Sequence, residues 1–255
     1  MSSFSTPAII LRRIDFGDYD LILSLITLNR GKISAIAKSA KKSTKRFAGI
    51  LEPFSVLEVV CTGGKGKGLL PILQEAVLKQ PFSVIRSDFT KAAYASYWAE
   101  LIHEWLEISQ QQSDVYRLFH FALAGMDTGL APEAALSILF QMRFATLSGY
   151  GPNLTHCSFC NKGLEEIKNN KIAIDIKRGG LVCDTCRSRP FGRLSLSKGT
   201  IKQLLWIESG DLAKAKKIRL DAVAIKESLD FLEAFVPYHL GKAPRSLAFL
   251  RQIRT

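Results

Sequence analysis

The sequence predicts an α+β protein: an N-terminal five-stranded barrel of the OB type, followed by an α-helical domain with an inserted four-cysteine zinc ribbon. Three observations predict it. Residues 7–78 carry short apolar runs punctuated by turns, with a longer excursion after the third run. Residues 82–149 switch to helical periodicity. Two Cys-x-x-Cys pairs then stand 22 residues apart, ahead of a second helical stretch. The expected domains are a barrel at residues 1–80 and a helical domain at residues 81–255, with the ribbon at 154–190.

Residues 7–14 read as the first strand, closed by a turn at 15–18, and residues 21–28 as the second. Asn29, Arg30 and Gly31 make a hairpin turn in which Gly31 can take a positive φ. Residues 32–37 alternate polar and apolar, as a half-buried strand does. Residues 54–60 and 69–78 are the fourth and fifth strands, joined by the glycine run 63–68. That run lacks the spacing of a phosphate-binding P-loop, because no Ser or Thr follows a Gly-Lys pair. It reads as a hairpin tip whose Lys65 and Lys67 can touch a backbone phosphate. Five short strands with a long third connection match an OB barrel.

Composition adds the charge. There are 35 Lys and Arg against 23 Asp and Glu, a net +12, which favours a polyanionic partner, nucleic acid first and an anionic membrane surface second. The excess concentrates in the excursion. No acidic residue lies between Asp20 and Glu52, whereas Arg30, Lys32, Lys38, Lys41, Lys42, Lys45 and Arg46 do. Each such cation that neutralises a phosphate releases counterion, which gives salt-dependent affinity without sequence specificity. With Lys65 and Lys67, these seven are the candidate DNA-binding residues. Phe16, Tyr19, Phe47 and Phe54 are nearby aromatics on which bases could stack, although Phe54 reads better as core.

The helical part begins with Tyr94, Trp98, Leu101, Trp105 and Ile108 at helical spacing, a core-facing stripe. Val115, Leu118, Phe119, Ala122, Leu123 and Met126 mark a second helix ended by Gly129, and Pro132 opens a third. The helices on the two sides of the ribbon are expected to pack together. Cys157, Cys160, Cys183 and Cys186 form two knuckles able to surround one tetrahedral Zn²⁺. The spacer goes out along 172–176, turns at Gly179 and Gly180, and returns through Leu181 and Val182. Disulfides or a redox pair are the competing readings, but nothing points to an oxidising compartment and two matched pairs argue against a single redox couple. A site of four cysteines is coordinatively closed, so its expected role is structural. Cys61 reads as a small buried hydrophobe, and His156 abuts the ligand set without being needed in it. Ser197 caps a further helix, residues 221–240 form the last long one, and a basic amphipathic tail follows at 242–251.

No carboxylate pair or nucleophile–base pair stands out, and a non-enzyme is expected. No apolar run approaches the ~20 residues of a membrane span, and residues 1–7 lack a basic segment followed by an apolar one. A cytoplasmic protein with no membrane partner fits.

Residues 8–23, 25–34, 38–49 and 51–54, with the cysteine quartet and the Arg245–Leu250 stretch near the end, together resemble the RecO family of DNA repair proteins. Ser39 and Asp18 depart from that pattern, where Gly and Glu are usual, but neither change removes a cation. The resemblance implies a non-catalytic recombination mediator. Such a protein binds single- and double-stranded DNA, anneals complementary strands, and engages RecR and the acidic tail of single-strand-binding protein. It thereby assists RecA loading on coated strands. Two other classes stay open on the residues alone: a generic zinc-ribbon nucleic-acid module of transcription or translation, and a nuclease whose site is assembled from distant residues.

Overall fold

The computed structural model describes residues 3–63, 69–108, 110–187, 194–212 and 219–254. These fall into two compact units, residues 1–128 and residues 129–253.

In the first unit, five strands close into a barrel of order β1-β2-β3-β5-β4: β1 (Ser3–Phe16), β2 (Asp20–Thr27), β3 (Gly31–Ala37), β4 (Val56–Thr62) and β5 (Ile72–Gln80). β1 is long enough to serve two neighbours. Its first half pairs antiparallel with β4 and its second half with β2, with an irregularity between Ile10 and Arg12. β2 and β3 form a hairpin in which Leu21 faces Ala37 and Thr27 faces Gly31. The barrel closes where β3 runs parallel to β5, Ile36 opposite Ile72. β3 alternates buried and half-buried residues along its whole length, as its sequence predicts. Gly31 is required at its turn: φ is +64°, and a Cβ there would run into the Gln110 carbonyl.

The excursion between β3 and β4 is not a loose loop. Ala40, Phe47 and Leu51 are buried in the same apolar cluster as Leu23, Leu25, Ala35 and Leu57. They plug one end of the barrel, so the cations between them must point outward.

Three helices complete the first unit: α1 (Ser83–Ser87), α2 (Phe89–Trp105) and α3 (Ser113–Asp127). Asp88 caps α2 by accepting from the Lys91 amide at 3.0 Å. α2 packs on β1, and α3 packs on β2, α1 and α2. Tyr97, Trp98 and Phe119 are fully buried there. The expected domain boundary at 80/81 therefore lies inside this unit. Ile108 departs from the predicted helical stripe: α2 ends at Trp105, and Ile108 is exposed and forms an isolated bridge to Lys32. The three glutamines that follow cannot supply an apolar face to continue the helix.

The second unit combines α4 (Glu133–Leu147), α5 (Lys198–Ser209), α6 (Ala222–Leu240) and α7 (Arg245–Arg254) with a small sheet of order β6-β8-β7-β9. Its strands are β6 (Asn153–Cys157), β7 (Lys171–Asp175), β8 (Gly180–Val182) and β9 (Ser195–Ser197). α4 packs on α5 and α6, so one helix from before the ribbon joins those after it, as expected; α1–α3 belong to the other unit. The Glu227 carboxylate on α6 accepts from the Ser197 amide at 2.8 Å and the Thr200 hydroxyl at 2.7 Å. That one side chain ties α6 to the end of β9 and the start of α5.

Candidate nucleic-acid interface and candidate metal centre

The tip of the β1–β2 hairpin and the excursion form one surface in the first unit. The Lys41 amide donates to the Tyr19 carbonyl at 3.0 Å, and the Ser39 amide donates to the Asp20 carboxylate at 2.7 Å. These bonds hold the start of the excursion against the hairpin. Further along, the Ser43 hydroxyl accepts from the amides of Arg46 and Phe47 at 3.1 and 3.0 Å, folding the basic run into a turn.

Lys38, Lys41, Lys42, Lys45 and Arg46 are all on this surface. Lys42 lies over the Tyr19 ring at 3.3 Å, and the Arg46 guanidinium lies over Phe47 at 4.3 Å while donating to the Lys38 carbonyl at 2.6 Å. Lys41 reaches the Asp15 carboxylate at 3.0 Å. Of the four candidate stacking aromatics, Phe16 and Tyr19 are exposed, whereas Phe47 and Phe54 are buried. Phe47 cannot present its face to a base because it is the plug of the barrel.

Arg30 and Lys32 sit apart. β3 spans about 23 Å at ~3.3 Å per residue, and Arg30 and Lys32 lie at its start while Lys38 follows its end. Arg30 stacks on Phe4 at 4.1 Å. Lys32 turns inward, donating to the His103 carbonyl at 2.5 Å, and burial lowers its pKa despite the nearby Glu104. Lys65 and Lys67 lie outside the described residues.

Reading the sequence alone missed the acidic side of this surface. A cleft of about 380 Å³ opens beside the excursion, with Leu21, Phe47 and Leu51 in its floor. Its walls carry two ion pairs, Arg13–Glu52 at 2.6 Å and Lys41–Asp15 at 3.0 Å. The sequence showed only that acidic residues bracket the basic stretch, Asp15, Asp18 and Asp20 before it and Glu52 after it.

In the second unit the four cysteines converge. Cys157 ends β6 and Cys183 follows β8, and these two strands pair in parallel. The Ser158 amide donates to the Leu181 carbonyl at 2.8 Å, holding the knuckles side by side. The approach requires Gly180: a Cβ there would lie 2.9 Å from the Asn153 carbonyl oxygen as well as 2.2 Å from the Ser158 hydroxyl. All four Sγ atoms lie within 4.8 Å of one another, with Cys160 and Cys183 at 3.5 Å. A tetrahedral zinc site of four sulfurs with bonds of ~2.3 Å has edges of about 3.8 Å, so the cluster fits that ion. Every cysteine is a free thiol. Burial raises the Cys157 pKa, but the amides of Cys183, Cys160 and Phe159 more than offset it and bring it to about 6. Hydrogen bonds with Cys160 and Cys183 push Cys186 up to about 12. Four thiols so close cannot all ionise without a cation among them. His156 is held by Asn153 and Thr155, each at 2.9 Å, and stays outside the cluster. Cys61 is buried in the barrel, and burial pushes its pKa to about 11, as expected of an inert packing residue.

No described helix is long and apolar enough to cross a membrane.

Comparison with known proteins covers both units. The family model described as recombination protein O N terminal matches residues 1–82, and that described as recombination protein O C terminal matches residues 86–248. The DNA repair protein RecO of Desulfosudis oleivorans is 45% identical over 100% of this chain and 99% of its own length. That of Desulfatibacillum aliphaticivorans is 43% identical over 100% and 98%, and that of an Anaeromyxobacter species (strain K) 32% over 99% and 98%.

Proposed function

The chain belongs to the RecO family, and on that premise we propose that it is a non-catalytic recombination mediator in DNA repair. It binds single- and double-stranded DNA through the basic excursion of the barrel and anneals complementary strands. With RecR, and through the acidic tail of single-strand-binding protein, it assists RecA loading on coated strands. The observation that supports the DNA-binding part is the exposure of Lys38, Lys41, Lys42, Lys45 and Arg46 along a segment anchored by the buried Ala40, Phe47 and Leu51. A fixed array of cations neutralises phosphates without first having to be ordered. Two strands neutralised together can approach each other, which is the physical basis for annealing. The generic transcription or translation module is not favoured, since relatives named for DNA repair match the full chain.

Zn²⁺ is the proposed occupant of the Cys157, Cys160, Cys183 and Cys186 cluster. Four thiolates leave it no open position, so it would cross-link β6 to the turn after β8 rather than act on a substrate.

The test of the DNA site is binding of an oligothymidine strand across a salt series, with the wild type beside a Lys41/Lys42/Lys45/Arg46→Ala variant. Each lost contact removes about 0.7 from the log–log slope for a single strand, so the slope should fall by about 2.1 if Lys41 stays on Asp15 and by at most about 2.8 if all four touch phosphate. Equal slopes would place the DNA site elsewhere.

A further inference from the structure

The cleft beside the excursion poses a chemical question. Asp15 and Glu52 both line this cleft, and a phosphate brought between them would be repelled. What suits them is a group that presents both donors and acceptors. We propose that this cleft holds one unpaired guanine of a bound single strand; the inference rests on the DNA-binding reading above.

Three features carry it. The first is size: at about 380 Å³ the cleft lies at the small end of ligand pockets, which start near ~300 Å³. The second is its make-up, an apolar floor under walls that alternate in charge: Arg13 with Glu52, and Lys41 with Asp15. Guanine alone among the bases places two acceptors, O6 and N7, beside two donors, N1–H and the N2 amino group. Arg and Lys pair with the first two, and a carboxylate accepts from the second two. In a single strand that second edge is free of its complement. The third is access: Lys41 and Ser43 line the cleft and belong to the basic excursion, so a strand lying on the neighbouring cations brings its bases to the opening. Tyr19, exposed and joined to Lys41 through its carbonyl, can stack a flanking base.

The ion pairs give a second consequence. In the absence of guanine, Asp15 and Glu52 engage two cations that could otherwise bind phosphate. Removing the carboxylates should therefore weaken guanine recognition and strengthen binding of a strand without guanine.

The experiment is fluorescence anisotropy with an oligothymidine strand, the same strand with one central adenine, and the same strand with one central guanine. Each is titrated with the wild type and with an Asp15→Asn/Glu52→Gln variant. The wild type should bind the guanine strand about tenfold tighter than the other two, the value of one well-made bidentate contact. The variant should lose that advantage and bind oligothymidine more tightly than the wild type does, with an unaltered circular dichroism spectrum and melting curve showing that it is folded. Adenine stacks as guanine does but lacks its hydrogen-bond pattern. An adenine strand as tight as the guanine strand, or a guanine advantage that survives in the variant, would overturn the proposal. Free guanosine monophosphate that displaces the guanine strand at micromolar concentration would assign the cleft to a mononucleotide instead. If oligothymidine binds with the predicted salt slope and guanine makes no difference, the cleft proposal fails and the mediator reading stands. If no strand binds at low salt, both fall.

Discussion

Phe47→Ala separates the two roles of the excursion. Phe47 is 3% exposed and belongs to the barrel's apolar cluster, while its neighbours Lys45 and Arg46 face solvent. Truncating a buried Phe costs about 3–5 kcal/mol. Phe47 also lines the cleft, so water and neighbouring side chains can partly fill the space, and the low end, ~3 kcal/mol, applies. For a unit of this length that lowers the melting temperature by roughly 10 °C. The effect on DNA binding follows from what remains. All the cations are still present, so the number of phosphates neutralised, and hence the salt slope, is unchanged. The excursion has lost its anchor, however, and must now be ordered on binding, at about 1 kcal/mol or more for each residue fixed. Oligothymidine affinity should fall about tenfold or more at every salt concentration, giving a parallel displaced line. Phe47→Leu, which keeps most of the plug, should lie close to the wild type. The assay is thermal unfolding followed by circular dichroism, together with salt-dependent anisotropy well below the melting point. An unchanged melting temperature would refute the plug, and a reduced slope would show that Phe47 helps place the cations in contact rather than merely holding the segment down.

Two further predictions concern the second unit. Burial pushes the Glu227 carboxyl up, but the Ser197 amide, the Thr200 hydroxyl and Lys171 more than compensate, leaving its pKa below the ordinary value. Its contribution is complete above the unfolded value near ~4.3 and is lost as pH falls through the folded one. Glu227→Gln should therefore shrink the drop in melting temperature between about pH 7 and about pH 3.5, and an unaltered drop would count against the assignment. Elemental analysis of the purified protein should find about one zinc per chain, lost in Cys160→Ser. A chelator should lower the melting temperature and leave the oligothymidine salt slope as it was; metal-free protein with the same melting curve would exclude a structural role.

Much of the fold was legible in the sequence because it depends on local pattern. The alternation in residues 32–37 reappears as the buried and half-buried residues of β3, the turn around Gly31 as a positive φ, and the cysteine spacing as one cluster. Ser197 caps α5 and Asp221 caps α6, as side chains of those types do. What could not be read depends on tertiary placement. Phe47 sits in a polar run with no period, so nothing local shows that it points inward. Lys32 falls on the polar side of β3, but that side is covered by the end of α2, where the His103 carbonyl takes up its ammonium group. Ile108 continued a helical spacing by coincidence after the helix had stopped. The ion pairs at the cleft join residues far apart in the chain, Arg13 to Glu52 and Lys41 to Asp15, and a lone Asp or Glu gives no hint of its partner.

The closure of the barrel has a consequence for how it assembles. β1, β2 and β3 pair with chain neighbours through short turns, whereas β3 meets β5 at one parallel position only after the chain has passed through the excursion and β4. Short loops close at little entropic cost, and longer ones close later. The meander should form first, and the two long-range pairings, β1 with β4 and β3 with β5 at Ile36, after it. Held by a single ladder position, the seam at Ile36 should be the first place to open, and the Ile36 amide, bonded to the Pro71 carbonyl at 2.9 Å, reports on it by hydrogen exchange. Since that seam ends just before Lys38, the barrel opens and closes next to the segment that carries its charge.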